Sequence, residues 1–303
     1  MALIQTTKPG GGDGVALHPM LRLLIALGFV VAAVFISSGV GKLIGPHKGS
    51  WQALLMGVCV AVIFLAAYAI FCRLIERRPV VEFGMPHAVP ELAAGIMTGL
   101  VLFSAVVAVI AAFGGYSVIG THDAAVLLPA LGIAISSGFS EEIVFRGWFF
   151  RLVEQWLGTW TALILSAALF GALHLGNPNA TLLAGVAIAL EAGIMLAAIY
   201  LITRRLWAAV GVHAAWNFAQ GGIYGIPVSG GAMDGVLRPR IVGSDLLTGG
   251  AFGAEASLPA IIVATAFGIV VVLIAYRRGG FVAPFWLRRD EPPAASALGE
   301  VFD

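Results

Sequence analysis

Two stretches of the chain, residues 53–71 and 258–276, contain no charged side chain at all. Each is about as long as the roughly 20 helical residues needed to cross the hydrocarbon core of a bilayer. Once one segment must lie in lipid, its backbone polar groups can be satisfied only inside a helix or a closed barrel. Unbroken apolar runs of this length lack the alternation of a barrel strand, so they predict helices.

The rest of the chain repeats the pattern. Further apolar runs at about 21–43, 92–113, 124–145, 159–175, 182–202 and 206–223 bring the expected number of spans to about eight. Composition agrees: 60 % of the 303 residues are hydrophobic and 11 % are charged. A soluble domain carries about 25 % charged residues, so lipid must be the solvent for much of this surface. The expected fold is therefore an all-α, polytopic membrane protein with a single transmembrane domain over 21–276. Residues 1–20 read as a polar N-terminal segment and 277–303 as a largely disordered tail. The loop 224–257 is Gly-rich and polar and shows no obvious element.

With eight spans, thirteen of the 17 Lys and Arg residues fall on one side and four (Lys42, Lys48, Arg238 and Arg240) on the other. The positive-inside rule then places both termini in the cytoplasm of a cell-membrane protein. It also sets the membrane boundary near Arg146 and Arg151, with Glu141 about 8 Å deep and a cavity open to the cytoplasm. Cys59 and Cys72 lie too far apart along one helix to be bonded to each other. A net charge of +1 gives no reason to expect nucleic acid as a partner.

Ionisable groups inside a membrane cost about 2.5–3.5 kcal/mol each on insertion scales, so their presence needs a reason. The spans hold Glu141, Glu142, Arg146, His174, Glu191 and His213. Glu142 and Arg146 share a helix face at i,i+4 and can pair. Glu141 is rotated about 100° away and lacks that partner, which makes it the better proton acceptor. The competing reading of these residues alone is an ion-paired helix end. Phe170 and His174 share a face, and a lone His is more often a satisfied core residue. The midpoint between Glu141 and His174 falls beside Gly158, a natural turn. Two helical arms meeting there would set Glu141 and His174 level across a hairpin. His213 and Asn217, again at i,i+4, can both donate to a developing oxyanion, or can simply join helices. Glu191 either lines the same cavity or pairs with an arginine.

Read as one set, Glu141 with His174 would activate water, and His213 with Asn217 would stabilise the tetrahedral intermediate. Glu142, Arg146, Phe170 and Glu191 would support them. A zinc site built on Glu141, His174 and His213 is the alternative, although no HExxH spacing is present. No cofactor is required on the first reading.

The ordered motifs Glu141-Glu142…Arg146, Phe170…His174 and His213…Asn217 resemble those of the CAAX prenyl-protease and bacteriocin-processing family. These are the type II CAAX endopeptidases and their bacterial relatives, also called the Abi family. The likeness covers about 124–223. It implies an eight-helix intramembrane fold, with active-site helices at about 124–156, 159–175 and 206–223. It also implies endopeptidase activity on a peptide or membrane-protein substrate, in contact with membrane lipid. It assigns water activation to Glu141 and His174, and transition-state stabilisation to His213 and Asn217. The Gly-, Ala- and Val-rich style of the chain looks bacterial. A non-catalytic scaffold, a bacteriocin-immunity protein and a proton-coupled transporter are the competing readings.

Overall fold

The computed structural model describes residues 17–45 and 51–288. Most of the expected N-terminal segment, and the tail from residue 289 onward, lie outside the described residues. The helices are α1 (Pro19–Ile44), α2 (Trp51–Leu74), α3 (Ala88–Ala112), α4 (Leu127–Glu142), α5 (Arg151–His174), α6 (Leu182–Ile188), α7 (Ile194–Thr203), α8 (Trp207–Asn217), the short α9 (Asp245–Thr248) and α10 (Leu258–Arg277). All eight expected apolar segments are helical, and the protein is an all-α, multi-pass membrane protein. Six helical stretches among the described residues are long and apolar enough to cross a membrane. One of these, Ala124–His174, is 51 residues long and contains two of the expected spans. The segment starting at Trp207 is shorter.

Gly158 divides the long stretch. Its φ of 80° and ψ of 169° lie outside helical space, where a residue without Cβ is favoured. The two arms fold back on each other there, and Phe145 meets Phe170 edge to face with ring centroids 4.7 Å apart. The turn is fastened from outside. Thr159 N–H donates to the Val282 carbonyl at 3.0 Å, and Val282 N–H donates to Thr159 Oγ1 at 2.8 Å. The segment just after α10 is thus anchored as far as Arg288, whose guanidinium donates to the Glu154 carbonyl.

Close backbone approach holds the other helices together. A β-carbon on Gly57 of α2 would overlap the Gly132 carbonyl of α4, and one on Gly95 of α3 would overlap the Ala208 carbonyl of α8. Small residues are the usual means of helix contact in lipid, where burying apolar surface gives no advantage over tail contact.

Three π-helical segments interrupt the ladder, at Ile143–Phe150, Ala189–Gly193 and Phe218–Ile223. Each adjoins or contains a polar residue of the expected site: Glu142, Glu191 and Asn217. Single-turn π segments in helices cluster at functional positions because they free carbonyls and re-aim side chains.

The loop 224–257 is more ordered than its composition implies. Strand β1 (Tyr116–Thr121) pairs antiparallel with β2 (Leu237–Ile241), with an irregularity between Val118 and Gly120. The loop also carries α9 and a 3₁₀ turn at Ala254–Ala256. Its short strand is hard to see in the sequence because a two-stranded ribbon over a helical bundle needs no long alternating run.

At the opposite end of the bundle lies an ionic layer. Glu76, 1 % exposed at its side chain, accepts from Arg22, Arg78 and Arg151 at 2.8–2.9 Å. Arg204 pairs with Glu154, and Arg205 with Glu91. Arg146, expected at the same boundary, is fully buried inside the bundle instead. Cys59 and Cys72 are both free thiols.

Candidate active site

Glu141 and Glu142 close α4 side by side but face different partners. Glu142 is completely buried, and its Oε1 accepts from Arg146 Nη1 at 2.9 Å. The same oxygen lies 2.8 Å from Nδ1 of His213 on α8. Arg146 Nη2 donates to the carbonyls of Ala192 and Gly193, at 2.9 and 3.1 Å. Those carbonyls belong to the π segment that carries Glu191, where the helical ladder is disturbed. The Arg146 guanidinium also sits over the Phe170 ring, 4.8 Å from its centroid. A charge this deep is tolerated because each of these groups lowers its burial cost.

Glu141 has a partly open side chain, 32 % exposed. Its Oε2 is nonetheless buried and makes no hydrogen bond among the described residues. That atom stands 4.0 Å from His174 Nε2 and 3.8 Å from His213 Nε2. The hairpin expected around Gly158 is therefore present, with Glu141 and His174 level across it. His174 Nδ1 lies 2.7 Å from the Phe170 carbonyl. A carbonyl can only accept, so Nδ1 carries a proton and Nε2 is the ring nitrogen that faces Glu141. Phe170 flanks this ring at 4.7 Å between centroids.

Asn217 lies one turn after His213. Its Nδ2 donates to Ser137 Oγ of α4 at 2.9 Å, so the amide is oriented across the interface. Ser137 was missed in the sequence, although it lies four residues before Glu141 and hence on nearly the same face.

Glu191 is buried and lines a small cavity together with Phe170, His174, His213, Asn217 and Glu255. Among the described residues no arginine pairs with it, and Arg146 binds the backbone of its helix instead. Glu255, from the loop before α10, gave no sequence signal because a single acid in a Gly-rich loop has no periodic context. Burial pushes its carboxyl up to about 7, against the opposing effect of hydrogen bonds from Ser229 and Gln220. Both Ser229 and Glu255 come from the loop at the end of the bundle away from the ionic layer, and Ser229 also lines the cavity.

Glu141, His174 and His213 are the residues that a metal would require. Two ligands about 2.0–2.1 Å from one tetrahedral zinc stand roughly 3.3 Å apart. The separations here are 3.8 and 4.0 Å, and among the described residues no group of three or more His, Cys, Asp and Glu is placed to hold a metal ion. As they stand, these side chains do not fit one.

The site thus joins two carboxylates, two imidazoles and an amide, drawn from three helices, in a multi-pass membrane protein. Comparison with known proteins places this arrangement. No curated protein and no solved structure matches the chain. Residues 123–219, which carry every motif from Glu141 to Asn217, match the family model described as type II CAAX prenyl endopeptidase, Rce1-like. The match covers about a third of the chain and makes this part of it similar to the CAAX-type intramembrane proteases.

Proposed function

We propose that the protein is an intramembrane endopeptidase in which Glu141 and His174 activate water and His213 and Asn217 stabilise the oxyanion. The observation that carries this reading is the gap between Glu141 Oε2 and the two Nε2 atoms, 4.0 Å to His174 and 3.8 Å to His213. These separations are too long for direct hydrogen bonds and suit a water that bonds to both sides.

In this reading the Glu141 carboxylate takes a proton from the water while the His174 lone pair orients it. The water oxygen bonds to the carbonyl carbon of the substrate peptide. The carbonyl oxygen gains the negative charge and faces Asn217 Nδ2 and, in the doubly protonated form of His213, Nε2–H. Collapse of this intermediate breaks the C–N bond, and Glu141 returns its proton to the leaving amine. Glu142, fixed by Arg146, holds His213 by Nδ1. No metal enters these steps. The substrate class is a peptide or membrane protein that reaches the site within the bilayer.

The test is cleavage of an internally quenched peptide library by the full chain in liposomes. Glu141→Gln and His174→Ala should each abolish cleavage while leaving thermal unfolding unchanged. Retained cleavage in both variants would sink the assignment of water activation to Glu141 and His174, and no cleavage by the wild-type chain would favour a scaffold. Substrate-dependent proton flux without cleavage would favour a carrier.

A further inference from the structure

The His174 and His213 rings border a cavity of about 30 Å³, and three of its other polar walls, Glu191, Ser229 and Glu255, are not used by the hydrolytic steps. Glu191 enters it from the π segment between α6 and α7, and Glu255 and Ser229 enter from the loop before α10. Phe170, Ile188 and Met195 supply apolar walls. Glu191 is 2 % exposed, and its Oε2 is buried with no hydrogen-bond partner among the described residues. Glu255, also 2 % exposed, accepts from Ser229 N–H.

A buried carboxyl without a partner costs several kcal/mol unless something hydrogen-bonds to it. Arg146 makes its hydrogen bonds to Glu142 and to the Ala192 and Gly193 carbonyls, not to Glu191. The volume decides what can fit. A water needs about 10–15 Å³ of such space and two to four polar partners. The cavity therefore has room for about two waters. Because His174, His213 and Asn217 also border it, water held there is one step from the Glu141 carboxylate.

We propose that Glu191 and Glu255 form a water-holding site that supplies the hydrolytic water to Glu141 from behind the two histidines. Each turnover consumes one water, and lipid around the bundle provides none. A polar reservoir within the protein removes the wait for water to enter. This inference rests on the hydrolase reading above. Glu191 and Glu255 are positioning residues here, since they touch the water before it reacts and not the scissile bond.

The experiment measures kcat and KM separately on the peptide cleaved fastest in the library, with the full chain in liposomes. Glu191→Leu keeps the side-chain size but removes the hydrogen bonds, and should lower kcat about tenfold or more with KM unchanged within about twofold. Glu191→Gln still bonds to water and should keep most of the rate. Ala192→Val narrows the same cavity without touching a polar group, so it serves if Glu191→Leu fails to fold, and it should lower kcat likewise. Wild-type kcat in the folded Leu and Val variants overturns the proposal. So does a Gln variant as slow as the Leu variant, which would mean that carboxylate charge is needed to bind a cation. A rise confined to KM overturns it too, in favour of substrate binding. No cleavage by the wild-type chain would instead remove the hydrolase reading itself, and cleavage by Glu141→Gln would remove Glu141 as its base, so these failures are distinguishable from failure of the water site.

Discussion

A single oxygen, Oε1 of Glu142, binds both Arg146 at 2.9 Å and His213 at 2.8 Å. It joins α4 to α8 across 71 residues of sequence. The carboxylate therefore has a structural task, which is to offset the buried guanidinium, and a functional one, which is to fix the tautomer and angle of an imidazole.

These two tasks separate by mutation. Glu142→Ala strips a fully buried arginine of its partner and should cost about 3–5 kcal/mol of stability. Glu142→Gln keeps the shape and one acceptor, so more of the fold should survive while His213 loses its charged anchor. We expect Glu142→Gln to lose activity by about 10–100-fold, comparable to losing an outer-shell orienting group. Thermal unfolding and kcat measured on both variants check this. Equal loss of stability in the two would count against it.

Asn217 and Ser137 give a graded pair. Removing an oxyanion donor typically costs about 10²–10³ in kcat, and Asn217→Ala is expected in that range. Ser137 only orients the amide, through a bond of 2.9 Å. Ser137→Ala should therefore slow the reaction far less, with little change in KM. If Ser137→Ala proves as damaging as Asn217→Ala, the serine itself takes part in the chemistry.

Chelation offers a test with a sharp sign. Glu141, His174 and His213 are spaced too widely for one zinc ion, so cleavage should continue after prolonged dialysis against a chelator. Metal analysis of the purified protein should find less than one equivalent. Loss of activity that added zinc restores would show that the side chains close around an ion.

Glu76 predicts an acid response. Burial raises its carboxyl, but the Arg151 and Arg78 guanidiniums outweigh burial and hold it below its ordinary value of 4.5. A group depressed in the folded state contributes its stability above the unfolded value and loses it as pH falls. Unfolding temperature should therefore drop as pH goes below about 4.5, and this part of the drop should vanish in Glu76→Ala. The variant should also be less stable at neutral pH, because three arginines then face one another without the shared carboxylate. A variant with the wild-type acid profile would show that Glu76 is not the titrating group.

Much of this protein was determined by sequence alone. The apolar runs fixed the eight helical segments because lipid leaves a backbone no other way to satisfy its polar groups. Pairs within one turn were legible for the same local reason: Glu142 with Arg146, and Phe170 with His174, follow from the helical repeat. The level placement of Glu141 and His174 followed from counting outward from Gly158. What joins separate helices was not legible. The His213 bond to Glu142, the Ser137 bond to Asn217, the burial of Arg146 and the meeting of Glu191 with Glu255 depend on how far each helix is rotated and slid against its neighbours. Backbone contacts at small residues such as Gly57 and Gly132, and three π segments, set those rotations. In an apolar stretch the helical repeat marks no preferred face, so only tertiary packing decides which side chains meet.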